Sequence, residues 1–150
     1  MALDKSFIGK SFPPFTFEVD KSKIRELVQA LGEDNPIFTD DQAARSAGLP
    51  GIVAPPTFPT LFKMWGEGGN RTLIEAMGGA PLRVLHGEEE YEYHGFIRPG
   101  DLITGQSTVI SIDEKEGRSG HLDIAVVETE YRNQQAELVV VARSTIVIRE

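Results

Sequence analysis

At 150 residues, 40% of them hydrophobic, the chain can bury one sizeable core and is short for two. Its 15 basic and 23 acidic residues leave a net charge of -8, so nucleic-acid phosphates and anionic membrane surfaces meet net repulsion and neither is an expected partner. Cysteine is absent, which excludes disulfides and thiolate metal sites and agrees with a reducing compartment.

The N-terminal MALDKSFIGK lacks the apolar centre of a signal peptide, and no apolar run is long enough to span a bilayer, so a cytoplasmic protein is expected. Phe15, Phe17 and Val19 alternate with polar neighbours and predict a strand with one buried face. Asp20 or Ser22 then caps a helix over residues 21–31, in which Ile24, Leu27, Val28 and Leu31 form one apolar stripe before Gly32 ends it. Asn35-Pro36 signals a turn, since the residue before a proline is pushed out of the helical region. Thr39 and Gln42 fit a capping box for a short helix over 40–47, closed by Gly48.

Pro55-Pro56-Thr57 marks a further helix start, proline being tolerated where first-turn amides lack partners. The helix it opens carries Phe58, Leu61, Phe62, Met64 and Trp65 on more than one side, so it belongs inside the molecule. Gly66, Gly68 and Gly69 break regular structure, and residues 73–77 form at most a brief helical turn. From Pro81 the periodicity changes to two, with strands predicted over 82–96, 102–112, 121–131 and 137–148. Arg98-Pro99-Gly100-Asp101 has the residues of a type II turn, 113–120 reads as a charged loop, and 133–135 closes the last hairpin. The expected fold is α+β: one domain over 1–150, with an antiparallel meander of about five strands wrapped round the central apolar helix. Apolar residues on both faces of the last strands, such as Leu138 and Val140 against Val139 and Val141, expect cover from a second subunit or a ligand.

For chemistry the residues offer few candidates. His86 and Glu89 form a possible acid-base pair, but strand alternation puts Glu89 with Tyr91 and Tyr93 on the face opposite His86, so pairing requires a bulge at Gly87. The competing account is a histidine bonded to a carboxylate for structural reasons. Glu88-Glu89-Glu90 reads as a charged strand edge, and His94 and His121 as solvated strand ends. The three histidines lack metal-ligand spacing, so no metal and no cofactor are expected. Phe58, Phe62 and Trp65 are either core or the wall of an apolar tunnel.

The stretch E-D-N-P-I-F-T-D-D-Q-A-A, residues 33–44, resembles the motif D-x-N-P-x-H-x-D of MaoC-like hydratases and dehydratases. The resemblance extends to Ile52-Val53-Ala54, His86-Gly87-Glu88 and Pro99-Gly100-Asp101, and is greatest to the N-terminal, FAS1-like subgroup. It implies a hotdog fold and the interconversion of enoyl and (R)-3-hydroxyacyl thioesters on CoA or acyl carrier protein. That chemistry uses a carboxylate and an imidazole about one water, with an amide donor for the enolate oxygen. At those positions stand Glu33, Phe38 and the Ala54-Pro55 pair, and a phenyl ring and a proline nitrogen can supply neither function. The resemblance therefore implies an acyl-binding subunit with a degenerate dyad, its thioester lying near Asn35, Pro55, Thr57, Phe58, Phe62 and Trp65, in a homodimer or beside a catalytic MaoC-like partner. A self-sufficient hydratase using His86 and Glu89, a thioesterase-like hotdog and a non-enzymatic acyl-thioester binder remain the alternatives.

Overall fold

The computed structural model describes residues 3–65, 69–117 and 120–149. The alternating phenylalanines give strand β1 (Phe15–Glu18), and the apolar stripe gives helix α1 (Lys21–Leu31). Asp20 caps α1 by accepting from the Ser22 amide at 2.6 Å. Gly32 ends it at φ 65°, a left-handed conformation that turns its N–H back onto the Val28 and Gln29 carbonyls. Ile24 and Val28 are buried, whereas Leu31, expected with them, sits exposed in the last turn.

After the Asn-Pro stop comes a single 3-10 turn, Pro36–Phe38, capped by Asn35 Oδ1 on the Ile37 amide at 3.2 Å. That turn uses Thr39, whose N–H bonds the Pro36 carbonyl at 3.1 Å, so the N-cap moves from the expected Thr39 to Asp40. Asp40 accepts from the Ala43 amide at 2.9 Å and starts α2 (Asp41–Ser46). Helix α3 (Pro59–Trp65) begins later than the Pro55 signal suggested. Phe58 and Thr60 donate to the Pro55 and Thr57 carbonyls at 2.9 and 3.1 Å, making tight turns of that stretch, and Pro59 takes the helix start. Phe58 and Phe62 are fully buried, but Met64 is 65% exposed, so α3 is not enclosed on every side. Helix α4 (Gly69–Ala76) is longer than the expected turn; Leu73 and Ile74 bury with Met77. Of the expected glycine break, Gly66 and Gly68 lie outside the described residues and Gly69 opens α4.

The second half forms β2 (Val84–Tyr93), β3 (Leu102–Gly117), β4 (Gly120–Arg132) and β5 (Leu138–Arg149). The sheet is antiparallel in the order β1-β3-β4-β5-β2, so only β3 to β5 make the expected meander and β2 lies at the far edge beside β5. The connection from β2 to β3 is too long and too anchored for a hairpin: Ile97 is buried and its carbonyl accepts from Ala54 at 2.8 Å. It ends in the expected turn, with Gly100 at φ 88° and the Asp101 amide bonded to the Arg98 carbonyl at 3.1 Å. The expected charged loop at 113–120 is mostly strand, since Asp113 to Glu116 pair with Ile124 to His121; residues 118–119 lie outside the described residues.

One sheet face carries two cores, the larger built on Phe58, Phe62, Ile24, Val28, Ile103 and Tyr131, the smaller on Leu73, Ile74, Met77, Val109 and Ile146. The opposite face mixes half-buried aliphatics such as Ile124 and Val126 with Arg143, which bonds Glu90 at 2.6 Å and Glu128 at 2.8 Å.

Phe15, Gly105, Tyr131, Val140 and Tyr93 occupy one row across all five strands. The Phe15 and Tyr131 rings close over Gly105, where an added Cβ would come within 2.6 and 2.8 Å of them. Gly105→Ala is therefore expected to cost about 1–3 kcal/mol by overpacking. Denaturant titration measures this, and an unchanged midpoint and slope would contradict it.

Candidate functional site

Two places compete for function. The first is the loop ahead of α3. Glu33 turns back on its own chain, its Oε1 accepting from the Asn35 amide at 2.9 Å, so the carboxylate here is part of the turn. Asn35 caps the following turn, and Phe38 packs its ring, partly buried, on the larger core. Pro55 is buried with no N–H to offer, and Thr57 is exposed in the turn before α3. Phe58 and Phe62 cross edge-to-face at 5.6 Å, and Phe62 lies 4.9 Å from the Tyr131 ring. The Trp65 side chain lies outside the described residues. The structure thus gathers Phe58 and Phe62 under α3 and brings no titratable pair together in the Asn-Pro loop.

The second place is the seam between α3 and the edge strand β2. A register shift between His86 and Glu88 marks the bulge that alternation demanded at Gly87. Beyond it His86 stands opposite Ile146 and Glu89 opposite Ser144, and Nε2 of His86 lies 3.1 Å from Oε2 of Glu89. Gly87 suits this bulge, because a Cβ there would meet the Thr145 carbonyl at 3.0 Å. Glu89 is therefore no exposed member of an acidic strand edge, as expected from Glu88-Glu89-Glu90; its side chain is 15% exposed, against 61% for His86.

What covers Glu89 is Lys63, only 10% exposed, whose ammonium donates to Glu89 Oε1 and to Ser144 Oγ. Ser144 in turn donates to Glu89 Oε2 at 2.7 Å. Burial alone would raise the Glu89 pKa, but the hydrogen bonds from Lys63, Ser144 and His86 outweigh it and hold the carboxyl below its ordinary 4.5. With Glu89 ionised and able only to accept, the contact is made by Nε2–H of His86 donating to the carboxylate. Two more polar contacts run along the seam: the Thr60 and Tyr91 hydroxyls lie 2.7 Å apart, and the Tyr93 hydroxyl donates to the Pro56 carbonyl at 2.7 Å. Burial pushes the Tyr91 phenol up to about 12. Thr60 and Lys63 lie one turn apart on α3 while Tyr91 and Glu89 share a face of β2, so one face of each element meets the other, and Pro56 with Tyr93 continues the seam ahead of the helix.

Sequence reasoning missed Lys63 and Ser144. The available signal was a lysine inside a helix read as apolar on all sides, which implies a buried counter-charge. His121 also departs from expectation: it lies 3.2 Å from both Glu116 and the buried Asp123, so it is a paired histidine rather than a solvated strand end. His94 keeps its place at the sheet edge, 3.1 Å from Glu92.

A five-stranded antiparallel sheet curled about one central helix, with the site along that helix, is the hotdog fold. The model of the FAS1-like dehydratase domain region matches residues 6–142, and the chain belongs to that family. A protein of Saccharopolyspora erythraea designated UPF0336 is 37% identical to it, over 99% of this chain and 93% of the relative. Among solved structures, the C-terminally truncated HadBC complex of Mycobacterium tuberculosis, a 3R-hydroxyacyl-ACP dehydratase, matches with TM-score 0.79 and 25% identity over 97% of this chain and 99% of that one. The ChsH1-ChsH2 complex of the same organism matches at 0.77 and 26%, over 93% and 89%.

Because its folded pKa lies below the ordinary value, Glu89 stabilises the protein above about pH 4.5, and that contribution is lost as pH falls through the folded value. Glu89→Gln should thus be less stable than the parent at neutral pH, with the gap narrowing as the pH falls below the ordinary carboxyl value and through the lower folded one. Lys63→Met should cost about 1–3 kcal/mol by removing the ammonium donor from a half-buried, ionised carboxylate. Thermal melts across pH measure both, and a gap that widens in acid would contradict the assignment of Glu89.

Proposed function

We propose that this chain is the acyl-binding member of a hydratase or dehydratase acting on enoyl and (R)-3-hydroxyacyl thioesters of CoA or acyl carrier protein, and that a second hotdog chain supplies the acid-base pair. In the hydration direction, water gives hydroxide to C3 and a proton reaches C2, which needs a proton acceptor and a donor at the double bond. The observation that carries the reading is Phe38: a phenyl ring packed on the core occupies the motif position of the imidazole. Glu33, held to the Asn35 amide, and Pro55, with no N–H, agree with it. The family membership and the matched two-chain complexes support a partner. Phe58 and Phe62 offer the apolar wall an acyl chain needs, in keeping with a thioester near Asn35 and Thr57.

A second reading has its own observation, the bulge that sets His86 against Glu89 at 3.1 Å. In that case a homodimer carries its own base, His86, oriented by Glu89, at the sheet edge.

The deciding measurement is hydration of crotonyl-CoA, followed by loss of the enoyl absorbance. The purified chain should turn over far below ordinary enzyme rates of ~1–10³ s⁻¹. Each missing proton-transfer role costs ~10²- to 10⁴-fold and a missing oxyanion donor ~10²- to 10³-fold. Co-expression with a hotdog chain bearing an intact D-x-N-P-x-H motif should restore activity. Full turnover by the chain alone would refute the subunit reading, and its abolition by His86→Ala and Glu89→Gln would install the second.

A further inference from the structure

We infer that the outer face of the sheet, turned away from both cores, docks a second copy of this chain about a two-fold axis that lies in the contact plane, perpendicular to the strands. What carries this is the order of the side chains on that face. Strand register sets them in rows across β3, β4, β5 and β2, successive rows being two residues, about 7 Å, apart. In the first row Lys115 and Arg149 flank Leu122, and neither cation forms an ion pair among the described residues. The second row joins Leu85, Val147 and Ile124 and ends on Asp113. Val126 and Thr145 centre the third, with Glu88 at its edge. Glu90, Arg143 and Glu128 make the fourth, and Glu92 and Glu130 lie in the fifth, where Arg132 bonds Glu130 at 2.8 Å. The face is thus basic at one end, aliphatic in the middle and acidic at the other, where five glutamates meet two arginines.

The aliphatic rows supply the attraction. Leu85 is 48% exposed and Val147, Ile124 and Val126 are half-buried, so a strip contiguous across three strands still gains by leaving water. The charges supply the orientation. Two such faces stack with their strands running the same way or opposed, and the net charge of -8 makes the wrong choice costly. Strands running the same way set five glutamates over five glutamates. A two-fold axis perpendicular to the strands, passing between the Ile124 and Val126 rows, reverses one face against the other. It lays the aliphatic rows on each other and brings Lys115 and Arg149 of each copy over the row of Glu90 and Glu128 in the other. A surface that complements itself in this way is an isologous contact, which closes at two copies. It also leaves the α3–β2 seam uncovered, because His86, Glu89 and Tyr91 lie on the opposite face, so the contact is independent of the acyl-binding reading.

The test is sedimentation of the purified chain at micromolar concentration beside two charge-reversed variants. Lys115→Glu with Arg149→Glu makes both ends of the face acidic, and Glu90→Lys with Glu128→Lys makes both ends basic. Each variant alone should sediment at half the mass of the parent, because like ends now meet. Their equimolar mixture should return to the parental mass, an outcome that a merely destabilised fold would not give. Thermal melts check that each variant is folded, and Ile124→Lys in the aliphatic strip, which alters neither end, should also halve the mass. A parent that sediments as a single chain, variants that keep the parental mass, or a mixture that stays at half of it would each overturn the inference and leave the acyl-binding reading untouched.

Discussion

The Lys63 ammonium under α3 is the constraint on which the rest of the site depends. A seven-residue helix has no stability of its own, because nucleating one turn costs more than so few hydrogen bonds return. Helix α3 is held from two sides. Phe58 and Phe62 bury in the larger core, and the polar side meets β2 through Pro56, Thr60 and Lys63. The apolar side supplies most of the free energy, since burial of two phenylalanines is worth roughly 3–6 kcal/mol. The polar side supplies position: an ammonium desolvated to this degree tolerates only one arrangement, with Glu89 and Ser144 both in reach.

That arrangement sets the register of the edge strand. Glu89 has to face the helix, and without the bulge at Gly87 the alternation would send His86 to the opposite face. The bulge puts His86 and Glu89 on one face of the strand and leaves Glu88 and Glu90 on the other, the latter on Arg143. A glycine with no room for a Cβ, a lysine in an apolar helix and a serine opposite the glutamate are thus parts of one solution, although they lie on three separate elements.

This distribution explains what could be read from the sequence. The strands, α1 and the Pro99-Gly100 turn follow from period, capping and turn chemistry, which are local. The place of β2 beside β5 is not local: it depends on Ile97 anchoring a long connection, and no periodicity records that. The start of α3 was misplaced because Pro55-Pro56 satisfies a helix N-terminus and a pair of tight turns equally well. In the site, Glu33, Asn35 and Phe38 were legible through the resemblance of their motif, and the need for a bulge at Gly87 through parity. Lys63 and Ser144 were not, because each is ordinary by itself and acquires meaning only when α3 lies on β2 and β5.

The electrostatics of the seam also bear on how the two functional readings rank. A general base works best with a pKa near the operating pH, and Glu89 is held on the far side of that condition, ionised by an ammonium and a hydroxyl. As a proton acceptor from water it has little driving force, and as a donor it has no proton to give. Only His86 is left for such work, 61% exposed at the sheet edge. An imidazole paired with a carboxylate that stays ionised has one group able to exchange protons, whereas protonation at C2 and hydroxide delivery at C3 together call for two. The same network is well suited to another task, that of fixing α3 so that Phe62 and Tyr131 stay in place beneath it. In the proposed reading the polar groups of β2 frame an acyl site, and Phe38 stands where a second chain would complete it.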